Sequence, residues 1–182
     1  MRRLLLHTCC APCSAAIIEW LLANDIRPIV FYYNPNIYPR EEYEIRKSEC
    51  TRYAQSKGIE IIDGDYDYNH WRESISGLEN EPERGKRCLQ CFKMRLWATA
   101  CLANNYGFEQ FATTLASSRW KRLDQIAEAG HWAASQFGNV MFWEKNWRKD
   151  GLSERRLILL KENDFYNQKY CGCEYSLNVG QH

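Results

Sequence analysis

Arg3-Leu4-Leu5-Leu6-His7 runs directly into Thr8-Cys9-Cys10-Ala11-Pro12-Cys13-Ser14. The first five residues read as a short buried strand, and Pro12 and Ser14 then open a helix through about residue 23. Ile17, Ile18, Leu21 and Leu22 share one face of that helix. Residues 29–33 are continuously β-branched and aromatic, as expected of a strand covered on both faces. Asn34-Pro35-Asn36 ends that run. Pro39, with Glu41 and Glu42 behind it, starts a helix expected to reach Lys57 and stop at Gly58. Residues 59–62 predict a third strand. Residues 64–85 are polar and mixed, with a short helix over 71–76. Leu89, Phe92, Leu96, Thr99 and Ala103 recur at helical spacing up to Gly107. A strand over 108–115, a helix over 123–137 and a strand over 140–143 follow. From Leu157 onward no strong period is visible, and there is no internal repeat.

Strands alternating with helices predict βαβ units, hence an α/β fold with a Rossmann-like parallel sheet of about five strands flanked by helices. Ligands of such sheets bind at the carboxyl ends of the strands. The cysteines after the first strand therefore stand where chemistry is expected. The first glycine of the chain is Gly58, so the first turn has none. That argues against a dinucleotide fingerprint, a P-loop or a pyrophosphate loop. Sulfur occupies the place of the phosphate-binding backbone.

The 182 residues, 45% hydrophobic and 26% charged, fit one domain over residues 1–182 and exclude a disordered or low-complexity chain. Residues 1–6 start like a leader, but His7, Thr8 and two cysteines cut the apolar run short. No apolar stretch approaches the ~18 residues of a membrane span. The expectation is a soluble, cytoplasmic protein, whose cysteines stay reduced unless they do redox or metal chemistry. Net charge is only +1. Basic residues nonetheless cluster: Arg84, Lys86, Arg87, Lys93 and Arg95, then Arg119, Lys121 and Arg122, then Arg148, Lys149, Arg155 and Arg156. Such runs read first as solvated faces. Interleaved Trp120, Trp143 and Trp147 leave a nucleic-acid surface open.

Seven of the nine cysteines form three groups: Cys9-Cys10-Ala11-Pro12-Cys13, Cys88-Leu89-Gln90-Cys91 and Cys171-Gly172-Cys173. A Cys-x-x-Cys pair opening a helix fits zinc, iron–sulfur or dithiol redox chemistry alike. Adjacent Cys9 and Cys10 are expected to point apart, which suits two corners of a cubane better than one tetrahedral ion. Cys9, Cys10, Cys88 and Cys91 would complete the thiolates of a [4Fe–4S] cluster. The competing assignment is a four-thiolate zinc site that staples the fold. Cys171 and Cys173 can close only a small, strained and easily reduced ring, with Gly172 tolerating its backbone. That describes a redox-active pair, against two further ligands or surface thiols. Cys13 points toward the same site, as a ligand of a second metal, a substrate contact or a helix cap. Cys50 and Cys101 stand alone and receive no role. His7, His70, His131 and His182 are scattered. Asp63, Asp65 and Asp67 read as a solvated turn. Thr113, Thr114, Ser117, Ser118 and Arg119 lie where a polar substrate would be met.

Leu-His-Thr-Cys-Cys-Ala-Pro-Cys, Tyr-Asn-Pro-Asn-Ile-Tyr-Pro, Arg-Cys-Leu-Gln-Cys-Phe, Ala-Thr-Thr-Leu and Tyr-Cys-Gly-Cys occur together in this order. With them the chain resembles the cobalamin-independent epoxyqueuosine reductases, the QueH family, over roughly residues 3–177. The resemblance implies a fold related to ATP-pyrophosphatase (HUP-type) domains. It implies an oxidoreductase that removes the epoxide oxygen of epoxyqueuosine in tRNA, the last step of queuosine synthesis. By position, the family's cluster ligands match Cys9, Cys10, Cys88 and Cys91, and its redox-active pair matches Cys171 and Cys173. An adjacent metal ion, iron, is also implied, with Cys13 able to help hold it. A tRNA partner would bring phosphates to Arg84 and Lys86 beside Cys88, and to Arg119. An external electron donor is needed and no membrane is. The alternatives are a zinc-stapled, non-catalytic RNA-binding domain and an ATP-dependent tRNA thiolase of related fold, the latter disfavoured by the missing glycine loop.

Overall fold

The computed structural model describes residues 2–177, and His182 lies outside them. Strand β1 (Arg2–Thr8) is followed by α1 (Ala11–Ala23), β2 (Ile26–Tyr32), α2 (Arg40–Ser56) and β3 (Ile61–Asp63). Then come α3 (Tyr68–Ser74), α4 (Lys86–Asn105), β4 (Gln110–Thr113), α5 (Leu123–Ser135), β5 (Met141–Phe142), α6 (Leu152–Glu162) and the single turn α7 (Glu174–Leu177). The sheet order is β3-β2-β1-β4-β5, with every pairing parallel. The expected five-stranded Rossmann-like sheet is what forms.

β1 lies at the centre because its Leu4, Leu5 and Leu6 are apolar on both faces, and all three are fully buried. Leu5 pairs with Ile29 on one side and with Phe111 on the other. Right-handed crossovers carry α1 and α2 to one face of the sheet and α4 and α5 to the other. Accordingly α1 packs against α2 and α6, and α4 against α5. The chain leaves β1 in one direction and returns through β4 in the other. A crevice therefore opens at the carboxyl ends of these two strands.

Some boundaries differ from expectation for local reasons. The strand expected over 108–115 stops at Thr113, because the Thr113 hydroxyl accepts the Leu115 N–H (3.2 Å) and turns the chain into a 3-10 turn, Thr114–Ser117. The stretch from Leu157 without a visible period begins inside α6 and leaves it at Glu162. Its Leu157 and Ile158 face outward, 51% and 48% exposed, while Leu152 and Leu159 are buried. Consecutive apolar residues thus hide the buried stripe. Nor are the basic runs simply solvated faces: Arg87, Arg95 and Lys121 are buried.

Candidate metal and redox site

Cys10 is the residue before α1, in extended conformation (φ −168°, ψ 159°), and Pro12 occupies the first turn. This geometry brings neighbouring thiols together. Cys9 Sγ and Cys10 Sγ are 3.8 Å apart, and Cys13 joins them with all three sulfurs within 4.8 Å of one another. The expectation that Cys9 and Cys10 point apart is thereby corrected. One ion with ~2.3 Å bonds to sulfur holds tetrahedral thiolates about 3.8 Å apart, so this trio has the spacing of a single metal site.

Residues from β4 and the turn after it hold the trio. The Cys9 N–H donates to Thr114 Oγ1 (3.3 Å), whose hydroxyl also lies 3.6 Å from Cys9 Sγ. The Ser117 hydroxyl donates to the Cys13 carbonyl (3.2 Å). His7 is fully buried at the end of β1. Its Nε2 donates to the Tyr33 carbonyl (3.0 Å), which leaves Nδ1 to accept from the Thr113 hydroxyl (2.8 Å). Burial, then the charge of Arg95, lowers the His7 pKa to about 3, so the ring is neutral. Thr113 and Thr114 thus face the β1 terminus and the trio. Asp67 caps α3 and Asp63 pairs with Lys47.

The three thiols are electrostatically unequal. Hydrogen bonds from Cys10 and Cys13, helped by Lys121 and Arg95 and opposed by burial, pull the Cys9 thiol well below its ordinary value. Burial, then Cys13 and Cys9, pushes Cys10 well above it. For Cys13 the bond with Cys10 lowers the pKa, but Cys9 and burial together outweigh it, to about 11. Cys9 is thus the most acidic thiol of the trio, with Cys10 and Cys13 as its donors, and a metal would displace their protons. Lys121 is buried among sulfurs. Burial disfavours its charge, but Cys171, Cys9 and Cys13 overcome that and raise its pKa.

Cys88 and Cys91 lie one turn apart at the start of α4, outside the 4.8 Å group. Burial pushes the Cys88 thiol up to about 12; its sulfur accepts the Arg84 N–H (3.2 Å), which acts the other way, and Cys91, Cys171 and Cys173 add to the rise. Cys88, Lys121 and Cys171 line one small cavity. Cys91 packs with Trp71 and Ile75, and Cys173 sits against that cluster. Burial and Cys171 raise Cys173 to about 11. All nine cysteines are free thiols. Burial places Cys50 well above the ordinary thiol range.

The Cys171–Cys173 segment is held by its backbone. Arg46, in a buried ion pair with Glu42 (2.7 Å), donates to the carbonyls of Cys171 (3.1 Å) and Tyr170 (3.2 Å). The Tyr38 N–H donates to the Gly172 carbonyl (2.8 Å). Just upstream, Gln168 Nε2 donates to Cys10 Sγ at 2.9 Å. The tail thereby reaches the first cysteine group across 158 positions of sequence.

Of the expected RNA contacts, Arg119 is exposed and free of ion pairs among the described residues, and Lys86 is exposed at the start of α4. Arg84 is exposed but engaged: it donates to the carbonyls of Trp120 and Arg119, both at 3.1 Å. Arg148 grips the same loop from the other side, at the carbonyls of Ser118 and Lys121. Sequence reasoning missed Arg46 and Gln168 outright. It met Lys121 and Arg95 only as members of basic runs, a signal of charge and not of burial. No helix among the described residues is long and apolar enough to cross a membrane.

A family model described as epoxyqueuosine reductase QueH matches residues 4–179. The chain is 49% identical over 175 residues to epoxyqueuosine reductase QueH of Haemophilus influenzae, covering 96% of this chain and 71% of that one. It is equally similar to the namesake from Acinetobacter baylyi, with 96% and 80% covered. To that of Thermotoga maritima it is 34% identical, with 97% and 91% covered. Among solved structures, a predicted subunit of tRNA methyltransferase from Methanocaldococcus jannaschii superposes with a TM-score of 0.58 at 12% identity, covering 93% of this chain and 94% of the other. That likeness concerns the fold alone.

Proposed function

The chain belongs to the epoxyqueuosine reductase QueH family, and on that premise we propose that it reduces the epoxide of epoxyqueuosine in tRNA to yield queuosine. Residues 1–182 act in this reading as one catalytic domain, and the substrate implies the cytoplasm. The observation that carries the reading is the buried trio Cys9, Cys10 and Cys13 at the carboxyl end of β1, with Cys88 and Cys171 lining a cavity beside Lys121. Two buried cations, Lys121 and Arg95, accompany them.

A buried all-sulfur donor set flanked by cations fits a thiolate-bound metal centre. We assign Cys9, Cys10, Cys88 and Cys91 to a [4Fe–4S] cluster and Cys13 to an adjacent iron ion. When bound, these groups supply single electrons and a Lewis acid for the epoxide oxygen. Thr114 and Gln168 hold Cys9 and Cys10 in place, and Lys121 keeps positive charge beside the sulfurs. Converting an epoxide to an alkene and water takes two electrons and two protons. Oxidation of the Cys171 and Cys173 thiols to a disulfide releases that number of each. An external electron donor must then reduce the pair. Lys86, Arg84 and Arg119 are assigned to tRNA phosphates, Arg84 also through the loop it grips.

Protein purified without oxygen is expected to contain iron and acid-labile sulfide in a ratio of about five to four, the fifth iron being the ion assigned to Cys13. It should convert epoxyqueuosine tRNA in the presence of a reductant. The double substitution Cys171→Ser, Cys173→Ser is expected to abolish multiple turnover; full turnover with the natural donor would remove the dithiol from the mechanism. The spacing of Cys9, Cys10 and Cys13 also favours a second reading, a single thiolate-bound zinc that staples an RNA-binding domain. One zinc without sulfide in protein never exposed to air would establish that reading instead.

A further inference from the structure

A cavity of about 480 Å³ opens beside Cys13, between the loop carrying Trp120, the first turns of α6, and residues 167–169. Its volume lies within the range of small-molecule sites, roughly 300–1,000 Å³. Cys13 and Gln168 lie on its inner wall, Gln168 being the residue that donates to Cys10. Four cations line the cavity, Arg119, Arg148, Arg156 and Lys169, and no Asp or Glu does. Arg148 is committed to backbone carbonyls. Among the described residues, the other three make no ion pair and no side-chain hydrogen bond. In a chain with 23 acidic residues, unpaired cations around an acid-free cavity call for an anionic ligand. Trp120, whose ring lies under the Arg119 guanidinium (5.7 Å), adds a stacking face at the entrance.

We infer that this cavity receives the target nucleotide of the RNA substrate, with Arg119, Arg156 and Lys169 on the flanking phosphates and Trp120 stacked on a base. The inference rests on the tRNA-reductase reading and adds the route by which the nucleotide reaches the sulfurs. A nucleotide modified by an enzyme must be splayed out of its stack, and such bases are held by aromatic faces and backbone cations. The cavity supplies both, with a cysteine of the trio on its wall. Arg84 and Arg148 clamp the 118–121 loop from two sides, so Arg119 and Trp120 are presented on a fixed turn.

The test is the binding of a labelled tRNA anticodon stem-loop, followed by fluorescence anisotropy across a salt series. Arg156→Glu and Lys169→Glu are each expected to weaken binding about tenfold at low salt. Each should also lower the slope of log affinity against log salt by about one. Trp120→Ala is expected to weaken it by about tenfold with the salt slope unchanged. Lys161→Glu, which makes the same charge change in the last turn of α6 away from the cavity, should leave affinity near wild type. Melting temperatures close to wild type show that the variants fold. If Arg156→Glu and Lys169→Glu bind like wild type while Lys86→Glu weakens binding, the RNA lies along α4 and the cavity assignment is wrong, although the tRNA reading survives. If the wild-type protein does not prefer the stem-loop to an unrelated RNA hairpin, both fall together.

Discussion

Gly172 sits at φ +137°, where a side chain is strained, and a Cβ there would come within 3.1 Å of Arg46 Nη1 and 3.3 Å of Ile37 Cγ1. The glycine between the two thiols is thus required twice, by its backbone and by the close approach of Arg46. Gly172→Ala is expected to cost about 1–3 kcal/mol and to loosen the Arg46 bonds to the carbonyls of Tyr170 and Cys171. Thermal unfolding would measure the first effect, and faster alkylation of Cys171 and Cys173 the second. Unchanged stability and unchanged alkylation would mean that the segment is not held as described. At this scale the grouping of Cys9, Cys10 and Cys13 was legible, since thiols this close in sequence at the end of a strand suit a metal. Lys121, Arg95 and Gln168 were not. A lysine in a run of cations looks solvated until the fold surrounds it with Cys9, Cys13 and Cys171. Gln168 lies in an irregular tail with no period to announce its contact.

Among the elements, the parallel sheet followed directly from residues 29–33, the leucines of β1 and the helical spacings between strands. The helix α6 escaped because burial of Leu152 and Leu159 is set by packing on α1, a contact no local pattern records. An ion pair fastens the two helices: Arg155 donates to both carboxylate oxygens of Glu19 (2.8 and 3.1 Å), with Lys57 3.7 Å from the same group. Partial burial pushes the Glu19 carboxyl up, but Arg155 and Lys57 outweigh it and hold it below its ordinary value of 4.5. A carboxyl depressed in the folded state stabilises the fold above its unfolded pKa and ceases to do so as pH falls through the folded one. Glu19→Gln is therefore expected to lower the melting temperature slightly at neutral pH, since exposed pairs contribute little. The gap to wild type should narrow below pH 4.5 and then close. A gap that widened on acidification would contradict the assignment.

For the whole molecule, three stretches far apart in sequence meet at one edge of the sheet, and the buried sulfurs there repel one another when deprotonated. A bound metal relieves that repulsion and ties the stretches together, so loading should stabilise the fold by mass action. Metal-loaded protein is expected to melt several degrees above protein stripped by chelator under anaerobic conditions. Cys50→Ser should keep that gain, and Cys9→Ser should lose most of it. Equal melting of loaded and stripped wild type would show that the sulfurs are not coupled to folding. The convergence could be guessed from the fold class, which puts loops at the carboxyl ends of strands. That Cys13 points toward the doublet was legible from its place one turn along; that Cys9 and Cys10 point together was not, because it depends on the extended turn at Cys10. The bond from Gln168 to Cys10 also bears on biosynthesis. In synthesis Gln168 follows Cys10 by 158 residues, so this bond forms only after translation has passed it. Until then the nascent trio lacks that donor, and its thiols meet solvent and stray ions without it.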